Sequence, residues 1–269
     1  MISFVGAGPG ATDLITMRGA NRLRAADVVI WASSLVPGAL LDHCRSPAEV
    51  HDSATMTLED VTGVFERHGE RTRIVRLHSG DPSVYGAIGE QIDWCVAHER
   101  SWEIVPGVSS VSAASAVLGR ELTQPGVAQS VILTRLGGRT AASMPAGEGV
   151  AALATHGATM AVFLSAAHPD ELASELLTAD SGYQRDTPAA IVVRATWPDE
   201  KVVRTTVGNL AADLKATKTT LTVLVLIGDA LADEPVGRRS HLYSPSHTTA
   251  YRLRSRPGST AGRPSARRK

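Results

Sequence analysis

Two α/β halves with a short basic arm behind them are what this sequence predicts. The expectation rests on apolar, β-branched runs that alternate with helix-period stretches, on three small-residue loops that each follow such a run, and on an abrupt change of charge near the end. With 269 residues, 43% of them hydrophobic and 20% charged, the chain can bury a full core in one or two domains. Its longest apolar runs, such as 28–32 and 223–227, fall far short of the roughly 18 to 20 residues of a spanning helix. No membrane partner is expected. Met1 leads directly into the strand-like Ile2-Ser3-Phe4-Val5 with no basic leader, which predicts a cytoplasmic protein. Cys44 and Cys95 are too few for a disulfide framework and lack metal-ligand spacing, so reduced thiols and no protein metal site are expected.

Strands are predicted at 2–5, 28–31, 73–77, 102–105, 130–134, 160–164, 189–194, 202–205 and 222–227, in a mostly parallel sheet. Between them helices are predicted at 17–25 with Thr16 as N-cap, and at 58–68 with Thr57 and Asp60 as a capping pair. Further helices are expected at 88–98, 112–118, 169–177 and 208–215. The segment 120–129, with Thr123, Pro125 and Gly126, reads as the boundary between the halves, and 137–149 as a second connector. The predicted units are therefore 1–119, 120–233 and a tail over 234–269. All 27 acidic residues lie at or before Glu234, and 9 of the 27 basic residues lie after it. The body thus carries 18 − 27 = −9 and the arm +9. Rich in Ser, Pro, Arg and Gly without apolar periodicity, the arm is expected to be disordered, with nucleic-acid binding as the alternative that its limited aromatics disfavour.

Gly6-Ala7-Gly8-Pro9-Gly10-Ala11 follows the first strand and satisfies GxGxxA. A dinucleotide site also needs an acid at the end of the second strand. Here that strand ends in Trp31-Ala32-Ser33-Ser34, Asp27 lies before it, and Pro9 removes a backbone donor, so NAD is disfavoured. A second loop, His78-Ser79-Gly80-Asp81-Pro82-Ser83-Val84-Tyr85-Gly86, follows the third predicted strand; Pro106-Gly107-Val108-Ser109-Ser110 follows the fourth. In a parallel sheet the carboxyl ends of strands share one crevice, so the three loops should converge on one ligand.

Taken in order, these loops resemble those of the tetrapyrrole methylases, over residues 2–229. Within that family, Asp52-Ser-Ala-Thr-Met-Thr-Leu-Glu, the Leu77 to Gln91 run, Ile132-Leu-Thr-Arg-Leu-Gly-Gly-Arg-Thr and Arg194-Ala-Thr-Trp-Pro-Asp-Glu are similar to the branch that methylates precorrin-4 at C11 in cobalamin biosynthesis. The uroporphyrinogen-III branch usually carries Tyr-Asp where this chain has Trp31-Ala32, which counts against it. The resemblance implies two α/β domains with S-adenosylmethionine in the cleft between them, a precorrin substrate, and a homodimer. It places cofactor contacts on Pro9, Ser79, Gly80, Asp81, Val84, Ser109, Ser110, Leu164 and Ala195. His78, beside the cofactor loop, is the expected general base. Arg135 and Arg139 are expected to bind substrate carboxylates, for which a bidentate guanidinium is suited; Arg120 and Arg194 are further candidates by position. Methyl transfer from sulfonium to carbon needs alignment rather than a metal. An rRNA methyltransferase and a non-catalytic nucleotide-binding module are the alternatives.

Overall fold

The computed structural model describes residues 1–45, 47–145, 147–233, 240, 242 and 244–255, with only the backbone of 139 and 140. Five parallel strands form the first sheet: β1 (Ile2–Gly6), β2 (Val28–Trp31), β3 (Glu49–Asp52), β4 (Ile74–His78) and β5 (Trp102–Val105), in the order β3-β2-β4-β1-β5. Around it lie α1 (Met17–Ala25), α2 (Leu58–Arg67) and α3 (Gly89–Ala97). Both predicted caps form: the Gly19 N–H donates to Thr16 Oγ1 at 3.1 Å, and Thr57 and Asp60 exchange the two bonds of a capping box. Alternation along the strands splits their side chains between two cores. Phe4, Ile30 and Ile74 pack with Phe65 of α2, while Val5, Val29 and Leu77 pack with Leu23 of α1 and Leu40.

β6 (Val131–Arg135), β7 (Thr159–Phe163), β8 (Pro188–Val193), β9 (Lys201–Thr206) and β10 (Val223–Ile227) make a second sheet in the order β6-β7-β10-β8-β9. Here the expectation of mostly parallel pairing needs correction. Only β6 and β7 are parallel; the β7–β10, β10–β8 and β8–β9 pairs run antiparallel. The segment 194–200 between β8 and β9 is too short for the crossover of a dozen or more residues that parallel neighbours require. One face of this sheet is covered by α5 (Val150–Ala154), α6 (Pro169–Leu176) and α7 (Leu210–Ala216). The other receives α4 (Ser110–Leu118), whose Val111, Ala114 and Leu118 pack on Ala161, Val192 and Leu226. Small side chains on both surfaces let that helix approach the strands closely. The helix that follows the first sheet therefore belongs to the core of the second, and its N-terminus lies where the two halves meet.

Asp27 also finds its role here. It accepts three bonds from Arg73, one from the backbone N–H and two from the guanidinium, and these hold its carboxyl down at about 2. Both cysteines are free, and burial raises both thiols. No helix among the described residues is long and apolar enough to cross a membrane. Of the arm, 244–255 forms turns without helix or strand, with the Arg252 guanidinium on the Leu242 and Ser244 carbonyls. The expectation of disorder for 234–239, 241, 243 and 256–269 lies outside the described residues.

Candidate functional site

β4, β1 and β5 are neighbours in the first sheet, so the loops that leave their carboxyl ends abut. The first loop is stitched to the second: the Ala7 N–H donates to His78 O at 2.7 Å, and Gly8 and Gly80 exchange backbone bonds at 3.2 and 2.8 Å. Two N–H donors of the first loop are thus committed to the protein and Pro9 offers none. Gly6, Gly80 and Gly107 bring three backbones into contact: neither Gly6 nor Gly107 has room for a side chain, and Gly80 takes a left-handed φ of 63°. A Cβ at Gly107 would stand 2.1 Å from the Gly80 carbonyl oxygen and 2.7 Å from Gly6 Cα.

Asp81 locks this arrangement with both carboxylate oxygens. Oδ1 accepts from the Ser83 N–H at 2.8 Å, closing an Asx turn, and Oδ2 accepts from the Gly107 N–H at 2.8 Å, tying the second loop to the third. Ser109 caps α4 by accepting from the Val111 N–H at 3.3 Å. A cleft opens above these loops, and Pro9, Ser79, Gly80, Asp81, Val84, Ser109 and Ser110 line its first wall.

The opposite wall comes from the second sheet: Phe163 and Leu164 past β7, Val192 and Ala195 along and beyond β8, and 220–224 leading into β10. Leu35, Tyr85, Leu164 and Leu221 are large apolar side chains that stay between 40% and 67% exposed and share this cleft. Such a gathering of exposed apolar surface marks a binding site. Backbone strain collects here too. Tyr85, Leu164 and Thr222 line the cleft with φ of 55°, 53° and 56°, and Arg194 and Thr196 flank Ala195 with φ of 51° and 68°. Left-handed conformations at bulky residues cost energy and persist where surrounding structure imposes them, commonly at functional sites.

The strained 194–200 segment also clamps the first loop from across the cleft. Trp197 Nε1–H donates to Pro9 O at 2.9 Å, and the Ala11 N–H donates to Thr196 Oγ1 at 3.0 Å. The clamp is braced internally: Glu200 accepts from the Thr196 N–H, while Arg194 pairs with Asp199 at 2.7 Å and stacks on the Trp197 ring at 4.1 Å. Tyr85 and Phe163 close the same seam with ring centroids 5.0 Å apart.

All nine positions named from the loops and strand ends therefore line one cleft: Pro9, Ser79, Gly80, Asp81, Val84, Ser109, Ser110, Leu164 and Ala195. His78 does not join them. Its side chain is 7% exposed behind the lining, its Nε2 has no hydrogen-bond partner, and burial together with the Arg76 charge pushes its pKa down to about 3. At neutral pH that leaves an uncharged imidazole outside the cleft lining. Arg135 is outside the lining, donating to Leu136 O and to Ser143 Oγ, yet its charge moderates the burial-driven rise of the Tyr85 phenol at the cleft. The backbone of Arg139 lies in a short 3-10 helix (Gly138–Ser143), and its side chain is outside the described residues. Arg120 is engaged with Asp233 at 2.6 Å, and Arg194 with its own clamp. Sequence reasoning missed Leu35, Tyr85, Phe163 and 220–224 as lining residues. Tyr85 lies inside the second loop, Leu35 just after the second strand and Phe163 beside Leu164, whereas 220–224 carries no local pattern.

A family model described as Tetrapyrrole (Corrin/Porphyrin) Methylases matches residues 1–211. The chain belongs to this family. Among tetrapyrrole methylases it is 44% identical over 231 residues to the cobalt-precorrin-4 C(11)-methyltransferase of Methanocaldococcus jannaschii, covering 86% of this chain and 88% of that one. It is 43% identical over 244 residues to the precorrin-4 C(11)-methyltransferase of Rhodococcus erythropolis, covering 90% and 96% of the two chains. The X-ray structure of a cobalt precorrin-4 methyltransferase, a cobalamin biosynthetic enzyme, superposes with a TM-score of 0.81 at 43% identity, covering 86% of this chain and 95% of that one. A uroporphyrin-III C-methyltransferase from Thermus thermophilus, solved with S-adenosyl homocysteine, gives a TM-score of 0.69 at 27% identity, covering 86% and 92%.

Proposed function

We propose that this chain transfers the methyl group of S-adenosylmethionine to C11 of precorrin-4, or of its cobalt form, in the building of the corrin ring, as a cytoplasmic homodimer. The observation that carries the reading is that relatives named for this reaction match at 43–44% identity along 86–90% of the chain, while two of the segments distinctive of the branch, 77–91 and 194–200, supply residues to one strained, largely apolar cleft. The more distant uroporphyrin-III match at 27% favours the precorrin-4 branch over the sister activity.

The cleft suits the cofactor on its own chemistry. Backbones meet at Gly6, Gly80 and Gly107, where a Cβ on Gly6 or Gly107 would intrude, and leave a floor free of side chains for the ligand. Ser79, Asp81, Ser109 and Ser110 supply polar atoms beside Pro9, Val84, Leu164 and Ala195. When bound, S-adenosylmethionine supplies an electrophilic methyl group whose carbon–sulfur bond breaks as the new carbon–carbon bond forms, the electron pair passing to sulfur. The protein's contribution is to hold the methyl in line with C11 and exclude water, and orientation of this kind is worth roughly 7 to 11 kcal/mol. Trp197 and Thr196 keep the Pro9 loop in place for that task. The charge of Arg135 is felt by Tyr85 in the cleft lining, and Arg139 follows four residues on in the chain, so carboxylate side chains of a tetrapyrrole would be received on this side. His78, neutral and walled off, shapes the β4 end rather than receiving the product's proton. The test is release of S-adenosylhomocysteine, one equivalent per turnover, on adding precorrin-4 or its cobalt form to the chain with S-adenosylmethionine. Absence of release with both substrates overturns the reading.

A further inference from the structure

Outside the cleft lining, on the exposed edge strand β3, two histidines and a glutamate come together. Glu49 and His51 are two residues apart on the strand, so their side chains share a face. Their register partners Val28 and Ile30 on β2 belong to the core that packs against α2. His68 arrives on that same face as the residue that ends α2. In sequence it follows His51 by 17 residues, a spacing that advertises nothing; the fold alone assembles the group.

One ligand atom from each of the three side chains lies within 4.8 Å of the others. His51 Nε2 is 2.7 Å from Glu49 Oε1, and His68 Nε2 is 3.4 Å from Glu49 Oε2. Neither approach is an aligned hydrogen bond: His51 Nε2 is shut off from solvent with no hydrogen-bond partner. Two imidazole nitrogens and a carboxylate are thus gathered in one place without an aligned hydrogen bond between them. Ligand atoms about 2.0 to 2.2 Å from a tetrahedral zinc ion lie roughly 3.3 to 3.6 Å apart, so the two histidine–glutamate separations need adjustments of well under 1 Å, and the two imidazoles, within 4.8 Å of each other, need at most about 1.5 Å. The cluster is also held in advance. The Arg100 guanidinium donates to His68 O at 2.6 Å and to Phe65 O at 3.0 Å, fixing the end of α2. Glu49 is 51% exposed, which leaves an open side for a fourth, water ligand.

We propose that Glu49, His51 and His68 form a binding site for a divalent cation of zinc's type, two imidazoles and one carboxylate that join the exposed edge strand to the end of α2. The ion takes no part in methyl transfer; it stabilises the outermost strand, whose last residue, Asp52, caps the turn leading towards α2.

The experiment uses the full chain without an affinity tag, stripped of metal and titrated with zinc chloride alone, followed by calorimetry and by metal analysis after gel filtration. The wild type is expected to retain one zinc that Glu49→Gln and His68→Gln each bind at least about 100-fold more weakly, since loss of supporting groups alone weakens metal sites by 10- to 100-fold. Zinc should raise the melting temperature of the wild type and leave that of either variant unmoved. X-ray absorption of the zinc-loaded wild type should show two imidazole nitrogens and carboxylate or water oxygen at about 2.0 to 2.2 Å; this holds the proposal to account even where a variant folds poorly. No retained zinc in the wild type, equal retention by both variants, or an absorption spectrum without two imidazoles overturns it.

Discussion

Replacing Gly107 by alanine tests the meeting of the three loops at its tightest point. The new Cβ would stand 2.1 Å from Gly80 O and 2.7 Å from Gly6 Cα, both backbone atoms, so no side chain can swing aside. One loop must retreat by about 1 Å, and overpacking of this kind typically costs 1 to 3 kcal/mol. Retreat also stretches the 2.8 Å bond from the Gly107 N–H to Asp81, and a hydrogen bond to a charged group is worth about 1.5 to 3 kcal/mol. The two effects share one displacement and are not fully additive, so a loss of about 3 kcal/mol is expected, with S-adenosylmethionine binding weakened at least about tenfold as the cleft floor deforms. Gly89→Ala is the control: at the first turn of α3 nothing lies within 4 Å of its Cβ, and the change should stabilise by up to about 1 kcal/mol. Urea unfolding gives the first quantity and calorimetry the second. If Gly107→Ala unfolds within about 0.5 kcal/mol of wild type, a spread comparable to ordinary surface changes, the close packing of the loops is not what holds the cleft.

Asp81→Asn turns one of two carboxylate acceptors into an amide donor facing a backbone N–H, and should cost about 2 kcal/mol of folding stability; weaker cofactor binding at unchanged stability would make Asp81 a ligand contact only. Trp197→Phe keeps the ring under Arg194 but deletes the bond to Pro9 O, and should cost about 1 kcal/mol and loosen cofactor binding several-fold; identical affinity by calorimetry would remove the clamp from the account. For His78 the folded pKa of about 3 lies below the unfolded value of about 6.5. The unfolded chain then binds the extra proton, so stability is fully present above pH 6.5 and falls by about 1.4 kcal/mol per pH unit as pH drops from there towards 3. Between pH 6.5 and 5.5, above the carboxylate range, unfolding free energies from urea titration of the wild type should fall towards this slope and His78→Leu should flatten it; equal slopes would mean that the histidine is solvated.

The first half of the fold was legible because its strands obey simple signals. Runs such as Ile2-Ser3-Phe4-Val5 and Val28-Val29-Ile30-Trp31 are apolar and β-branched, and Thr16 and Thr57 sit where helix caps belong. β3 escaped because it is an edge strand: Glu49, Val50 and Asp52 are exposed, and a strand with no buried face has no hydrophobic period to read. The pairing direction in the second sheet escaped for a different reason, since run length and composition do not distinguish a hairpin from a crossover; the brevity of 194–200 between two strands was the usable signal. The cleft's first wall was readable because loops after adjacent parallel strands must converge. Its second wall is built from Phe163 and 220–224, ordinary residues whose role comes from a left-handed turn at Thr222 and from the antiparallel placement of β10 between β7 and β8. His78 lay in the right motif but points into the packed interior, which a loop sequence does not disclose.

The most direct test of the central claim is the position of the new bond. The chain is incubated with precorrin-4, or its cobalt form, and S-adenosylmethionine carrying carbon-13 in the methyl group, and the product is examined by NMR. A single labelled methyl attached to C11 is the expected result. Label at another ring carbon, at C2 and C7 of uroporphyrinogen III, or on RNA alone contradicts it.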